Sequence, residues 1–555
     1  MTNERVPEKH PSPADALYFL TIALLISAAL VGFWLRGGWN LGLTLAITTA
    51  EAGVWLYSCG FGQKPVFSCL TRFSAHRRML LIGLTLAILY LGSTYYFYAN
   101  ELLHVLNFLV LLVLFVVQSI LLTDSSDRDW DEPLFWLEAA LAPIVRPFVS
   151  LPRVGFMTRL ATGAHHTNES GVEAGADTLS SRARPGRLFG QILLGILLAV
   201  PVLLFAGSLL ASADIVFGRV FSSIIDYWTG LSIKDRLIDL VLVLFLFPFI
   251  FSFLESCRSR WQLVSRQSQA DPVLSGAGTL SYREKTLKLN PVTLNAFLAS
   301  INMLYLLFAI IQIAYLTGAF QFVLPEGLTY AEYARNGFFE LAGITPINVL
   351  LILLAIKGAG RKGLAGRILR GQSLLLVAGS FIQWLSAMFR MQMYIRAYDL
   401  TLMRFFVSAF MILMAVVLVL LTVKEFRPSF AFFKAAAISA LLSLVLLNAI
   451  NVDIRIARFN TGHSLENPAR PFDLSYFQEL SPDAALVLQE SLAQFDESRR
   501  SAVQQRIQQT YQNVVKETRE GRWQDLNWRE QKTIRELAAA GYNLQASMSN
   551  SLSTR

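Results

Sequence analysis

Charged side chains are scarce in this sequence. Asp, Glu, Lys and Arg together make up 16% of its 555 residues, whereas a typical soluble domain carries about 25%. Hydrophobic residues make up 54%, and they lie in blocks of about 20, the length that crosses roughly 30 Å of hydrocarbon. The composition therefore disfavours a soluble globular protein and predicts an integral membrane protein.

Cysteine is also scarce. Cys59, Cys69 and Cys257 are the only ones, and we expect no disulfide, because the predicted topology places all three on the cytoplasmic side, where thiols stay reduced. The sequence has no zinc-type Cys/His spacing and no nucleic-acid signature, so we expect no metal and no nucleic-acid partner. We expect no cofactor either. The net charge is +9, and the Lys and Arg residues lie in short loops beside the apolar blocks. This pattern is typical of proteins whose orientation in the membrane is set by basic loops. The expected partner is the lipid bilayer itself.

About eleven apolar blocks are predicted to cross the membrane as helices. They cover residues 16–35, 39–58, 79–98, 102–122, 188–210, 237–254, 292–316, 338–356, 372–389, 405–423 and 431–450. The first is long enough to span and lacks a clear small-residue cleavage site, so we interpret it as a membrane helix rather than a signal peptide. The predicted fold class is an all-α polytopic membrane helix bundle.

The loops between the blocks predict the orientation. With the N-terminus in the cytoplasm, the cytoplasmic loops carry roughly three times as many Lys and Arg residues as the opposite loops. An odd number of spans then places the C-terminus outside the cell membrane. We therefore expect a multi-pass protein of the bacterial inner (cytoplasmic) membrane.

Five regions are predicted along the chain: helices 1–4 in 1–122, a cytoplasmic loop in 123–187, helices 5–11 in 188–450, an extracytoplasmic helical tail in 451–545 and a disordered end in 546–555. Within the loop, 133–160 suits the inner membrane surface, and 161–187 has the composition of a flexible linker.

Capping signals divide the tail into two predicted helices. Ser481, followed by Pro482, is expected to begin a helix that runs to about Thr518. Asn527 is expected to cap a second helix, which ends before Gly541.

Several polar side chains fall inside the predicted spans. Such groups are costly in lipid and often mark function, although Asn and Gln also hydrogen-bond between helices. These intramembrane polar residues are Glu51, Asn302, Gln312 and Gln383.

Three separate segments bring acids, arginines and tyrosines to the predicted outer face. Arginines there can hold a carboxylate or phosphate in bidentate fashion, or the groups can pair with one another as a salt-bridged lid. These outer-face residues are Tyr330, Glu332, Tyr333, Arg335, Glu340, Arg390, Tyr394, Tyr398, Arg404, Asn451, Asp453, Arg458 and Asn460.

The same three segments carry a resemblance to a known family. TYAEYARNGFFEL, RMQMYIRAYDLTLMR and NVDIRIARFN, followed by LSPDAA, are similar to bacterial multi-pass membrane proteins of a domain-of-unknown-function family, the 4173/4153 type. The likeness covers roughly Val292 to Leu488. This chain has Asp399 where the family typically has glycine, and Phe459 where it has tyrosine. The resemblance implies location and fold but supplies no activity.

Three functions stay open at this point. A binding or regulatory protein at the cell envelope is preferred, because no catalytic motif occurs and the tail shares a face with the polar residues. A transporter of a small solute would need an intramembrane polar path to Glu51. A membrane-embedded transferase or hydrolase would act at the outer face, and its substrate, like the partner of a binding protein, would be an envelope protein or a lipid-linked molecule.

Overall fold

The computed structural model describes residues 12–35, 39–60, 70–71, 73–126, 128–162, 234–258, 290–320, 329–358, 363–468, 470 and 472–544. Every regular element in these ranges is a helix. The predicted all-α class is therefore confirmed, whereas the predicted span 188–210 and most of the predicted linker lie outside the described residues.

Sixteen α-helices make up the described fold. They are α1 (Pro13–Ala29), α2 (Leu41–Cys59), α3 (Ala75–Phe97), α4 (Glu101–Thr123), α5 (Pro133–Ser150), α6 (Pro152–Ala161), α7 (Lys234–Arg258), α8 (Pro291–Phe320), α9 (Tyr330–Gly358), α10 (Gly363–Tyr398), α11 (Leu402–Phe426), α12 (Phe432–Ala449), α13 (Val452–Glu466), α14 (Ala484–Ser491), α15 (Glu497–Glu520) and α16 (Trp528–Ala539).

Within the described ranges, eight helices are long and apolar enough to cross a membrane, so the polytopic class is confirmed. They are α1 with its π-helical extension to Leu35, α3, α4, α7, α9, α10, α11 and α12. Helices α5 and α6 meet at a bend of 55° and make a ninth span if they are counted as one. Helices α2 and α8 occupy two more predicted spans without belonging to the eight, so the predicted total of about eleven is not confirmed.

Helices α1 to α12 form two packed groups. Helices α1 to α7 pack around one core, in which Tyr57, Tyr95 and Phe251 are almost fully buried. Helices α8 to α12 pack mainly around α10, with Leu298, Ile352 and Leu376 in a second core. Helix α12 also contacts α3 and so joins the two groups.

The tail differs from its prediction in where its first helices begin. Ser481 does not cap a helix, since its hydroxyl donates to the carboxylate of Asp483 and α14 begins only at Ala484. The single helix expected from Pro482 to Thr518 is wrong as well. The helical conformation is interrupted before Asp496. The Asp496 carboxylate then caps α15 by accepting from the Arg499 backbone N–H at 3.2 Å.

The second predicted cap is confirmed. Asn527 Oδ1 accepts from the backbone N–H groups of Arg529 and Glu530, and Gly541 follows α16 with φ 95°, a conformation that glycine adopts without steric cost.

The tail is docked on the first membrane helices. The Leu41 backbone N–H donates to the Leu526 carbonyl at 3.3 Å. The side-chain amide of Asn527 donates to the carbonyls of Tyr95 at 3.2 Å and Tyr98 at 2.6 Å. Apolar tail residues such as Leu488 belong to the same core as α1 to α4. The beginning and the end of the described chain therefore form one packed unit.

Candidate functional site

The predicted outer-face residues separate into two groups, and the first is centred on Arg390. This side chain is buried, and Nη1 lies 3.3 Å from the Glu340 carboxylate. Its guanidinium also lies 4.6 Å from the centre of the Tyr333 ring, a cation–π distance. Gly337 leaves room for it, because a Cβ there would come within 2.8 Å of Arg390 Cδ.

Arg404 extends this first group. Its guanidinium lies 4.0 Å from the Tyr394 ring centre and 5.9 Å from that of Tyr398. Nη1 donates to the carbonyls of Tyr398 and Asp399, both at 2.6 Å, and Tyr330 packs edge-on against Tyr398. The arginine thus holds the turn between α10 and α11 in place.

Asp399 sits at that turn in a left-handed conformation, with φ 64°. Glycine adopts such a φ freely, and Asp is one of the few other residues that tolerate it. The Asp399 carboxylate pairs with His463 at 2.8 Å and Arg470 at 3.5 Å. These contacts anchor the turn to α13, through His463, and to the segment that follows α13, through Arg470.

The second group surrounds two buried acids, Asp453 and Asp483. Asn100 donates to Asp453 at 2.7 Å. Asn451 donates to Asp483 at 2.9 Å, and Arg529 pairs with Asp483 at 3.4 Å. Burial raises the pKa of Asp453. This group ties the start of α4 to α13 and, through Arg529, to α16.

The remaining predicted residues have local roles. Glu332 accepts from Thr329 at the start of α9, and Arg335 is exposed. Arg458 forms an exposed pair with Glu490 at 3.7 Å, and Asn460 exchanges two hydrogen bonds with the Leu400 backbone. None of these contacts joins its residue to Arg390.

The intramembrane polar residues differ in their surroundings. Asn302 donates to the backbone and side-chain oxygens of Gln372, which holds α8 against α10. Both amide atoms of buried Gln383 lack a hydrogen-bond partner within the part of the chain that the structure describes. Glu51 accepts from Trp55 and Gln118. The side chain of Gln312 lies outside the described residues.

Sequence reasoning missed two features, and the first is a large apolar groove of about 990 Å³. Helices α3 and α4 form one wall, α11 forms the other, and α12 contributes much of the remaining lining. Its lining includes Gly83, Ala87, Leu102, Leu106, Leu109, Val113, Val117, Leu121, Met403, Phe406, Phe410, Leu413, Ile438 and Leu442. The groove could not be predicted from the sequence, because the residues that line a groove and the residues that face lipid are equally apolar.

The second missed feature is a charged cluster at the end of α7. Glu255 is 2% exposed and accepts from the Tyr57 hydroxyl at 3.0 Å. Arg258 and Arg153 pair with it at 3.0 Å and 3.5 Å. One sequence signal could have revealed this cluster: Glu255 lies three residues before Arg258 on the same helix. Among the described residues, no group of three or more His, Cys, Asp or Glu side chains could hold a metal ion.

The family profile described as "Domain of unknown function (DUF4153)" matches residues 85–491, most of the chain. The chain belongs to this family. The match reaches further toward the N-terminus than the resemblance of Val292 to Leu488 indicated. No curated protein matches the chain, and no solved structure does either.

The matched range of the DUF4153 family includes the Arg390 group, the Asp453 carboxylate and most of the apolar groove. Helices α1 and α2, with Glu51, precede it, and α15 and α16 follow it. The docked tail and the first two helices are therefore packed around the matched region from both ends of the chain.

Proposed function

We propose that this DUF4153 protein is a lipid-binding protein of the bacterial cell membrane, with its N-terminus in the cytoplasm and its tail outside. In this proposal, the acyl chains of membrane lipid occupy the groove between α4 and α11. The groove itself, a cleft of about 990 Å³ formed by membrane helices, is the observation that carries the proposal.

The length of the groove fits lipid hydrocarbon. Its lining on α4 runs from Leu102, at the first turn, to Leu121, at the last. At 1.5 Å per residue this distance is about 28 Å, close to the roughly 30 Å of a bilayer's hydrocarbon core. Trp130 and Trp136 line the groove near the α4 C-terminus, which is typical of aromatic residues at a membrane interface.

The chemistry of the lining also favours an acyl chain. The side chains are almost all aliphatic or aromatic, and Ser443 is the one hydroxyl-bearing residue among those that line the groove. Acyl-chain carbon loses nothing by moving from the bilayer interior to such a surface, whereas a polar substrate would lose its hydrogen bonds there. A hydrolase or transferase would need polar catalytic groups facing this space.

Transport is less favoured because the buried polar groups lie at separate depths. Asn107 contacts Thr94 and Asn448, while Gln118 contacts Glu51. The two α4 residues are about 16 Å apart along the helix axis. A continuous polar path would need groups between them.

Filling the groove tests the proposal. A Cβ at Gly83, which lines the groove, meets nothing within 4 Å, and the same holds for Gly371 on α10, away from the groove. We expect Gly83→Trp, purified in mild detergent, to retain less lipid per protein than the wild type by quantitative lipid mass spectrometry. The matched control Gly371→Trp should retain the wild-type amount. Equal retention by both variants would contradict lipid binding in the groove.

A further inference from the structure

Glu51 lies near the middle of α2 and is 3% exposed. The Trp55 indole N–H donates to its Oε1 at 2.9 Å, and the Gln118 amide donates to the same oxygen at 2.7 Å. Thr85 lies in the same network, within 3.0 Å of both donors. All three neighbours are neutral, and no ion pair within the described ranges includes Glu51.

This network has two acceptors without a donor. Glu51 Oε2 and Gln118 Oε1 are both buried and have no hydrogen-bond partner within the part of the chain that the structure covers. A buried acceptor left unpaired costs free energy. One proton on Glu51 would supply a donor where the network lacks one, and it would also remove the charge.

Glu255 provides an internal comparison, since it is equally buried, at 2% exposed. Its carboxylate is held by Arg258, Arg153 and Tyr57. A buried carboxylate that is paired and hydrogen-bonded stays ionised, whereas an unpaired one in an apolar interior is driven to its neutral form. The two acids should therefore carry different charges.

Tyr90 lies inside α3, but its hydroxyl donates to the Val445 carbonyl on α12. Other ionisable side chains packed near α2 lie toward its two ends. Tyr95 and His104 contact each other at the end near the tail. Tyr18, whose hydroxyl donates to the Leu56 carbonyl, and Glu255 with Arg258 lie at the opposite end. The protonation state of Glu51 is therefore set by its contacts with Trp55, Gln118 and Thr85.

We propose that Glu51 is an intramembrane proton-binding site, which holds a proton in the folded protein. Dicyclohexylcarbodiimide reacts with the neutral acid. The carboxyl proton moves to a carbodiimide nitrogen, and the carboxyl oxygen bonds to the central carbon. The O-acylisourea then rearranges to an N-acylurea, and the product retains every atom of both reactants.

The test is to treat the full chain in membranes with dicyclohexylcarbodiimide and map the adduct by peptide mass spectrometry. We expect a mass increase of one reagent molecule on the peptide that holds Glu51, no adduct on the peptide that holds Glu255, and loss of the label in Glu51→Gln. Equal or greater labelling of Glu255 would overturn the proposal.

Infrared spectroscopy gives a second readout that does not depend on access of the reagent. At a pH well above 7, where Glu530 is ionised, the wild type should show the C=O stretch of a protonated carboxylic acid, and Glu51→Gln should lose it, while Glu255→Gln should keep it. If the carbodiimide leaves Glu51 unlabelled and the infrared band survives in Glu51→Gln, Glu51 is ionised and the proposal is wrong. The band with no label would still support it.

Discussion

Asn100 donates a hydrogen bond of 2.7 Å to Asp453, although 353 positions separate the two residues. The same side chain begins α4, because its Oδ1 accepts from the Leu103 backbone N–H at 2.8 Å. One buried amide therefore caps a membrane helix and anchors the first helix of the C-terminal part.

Asn100→Asp should separate these two roles, because aspartate caps helices as well as asparagine does. The new carboxylate would face Asp453, and like charges raise each other's pKa. We expect a loss of about 3 kcal/mol at neutral pH, the scale of an uncompensated buried charge, and a smaller loss as the pH falls toward about 4. Thermal unfolding in detergent at several pH values measures this.

Asn100→Ala is the control for that experiment. It removes both the cap and the hydrogen bond but adds no charge, so its effect on stability should vary much less with pH. If Asn100→Asp shows the same pH-independent loss as Asn100→Ala, repulsion from Asp453 is not the cause.

The Arg390 and Glu340 pair should show an asymmetric double-mutant cycle. Arg390 has 6% of its side chain exposed and Glu340 39%. Glu340→Gln removes a carboxylate that contacts a buried cation, whereas Arg390→Gln leaves an acid that water can reach. We therefore expect Glu340→Gln to cost more stability, and the double variant to lose about 1 kcal/mol less than the sum of the two. Additive losses would mean that the pair contributes nothing.

Glu530 predicts a pH dependence in the tail. Burial, followed by the nearby carboxylates Glu517 and Asp525, raises the pKa of Glu530 to about 7. The folded state therefore holds a proton that the unfolded state releases near pH 4.5, and stability falls as the pH rises between about 4.5 and 7. Glu530→Gln should stabilise the protein by up to about 3 kcal/mol above pH 7 and have little effect near pH 4.

Glu536→Gln is the matched control on the same helix. Glu536 is 49% exposed and pairs with Lys532 at 3.6 Å, a contact worth little at a surface. Denaturant unfolding of both variants at pH values on either side of the window makes the comparison. A Glu530→Gln effect that is the same at every pH would contradict the assignment.

The loop charges predict the orientation directly. A reporter that works only in the cytoplasm should be active when fused after Lys362, and one that works only outside should be active when fused after Ser481. The physical reason is the excess of Lys and Arg that stays on the cytoplasmic side. Cytoplasmic activity after Ser481 would mean that the number of spans is even.

The helices were predictable from sequence because the thickness of a bilayer imposes a length and an apolar composition on each span. The Asn527 cap was predictable for a similar local reason. Asp496 is as good a capping residue as Asn527 and also precedes a polar helix. The Leu-rich stretch before Asp496 also favours a helix, however, so the sequence does not show that the two helices are separate.

The contacts that build the sites were not predictable. Glu51 meets Gln118 across 67 positions, and Asn527 meets Tyr98 across 429. Nothing local in the sequence states which face of one span will meet which face of another. The outer-face residues divide into groups for the same reason, because Asp453 faces Asn100 and the tail rather than Arg390.

The hydrogen bonds from Asn527 to the carbonyls of Tyr95 and Tyr98 have a consequence for the biogenesis of the protein. The first membrane helices leave the ribosome long before their last partner is synthesised. Until α16 emerges, those carbonyls and the apolar surface beneath the tail stay uncovered. A chain that stops short of the tail should therefore insert into the membrane yet be recognised by quality-control proteases, so that synthesis of the tail is needed before this packed unit can finish folding.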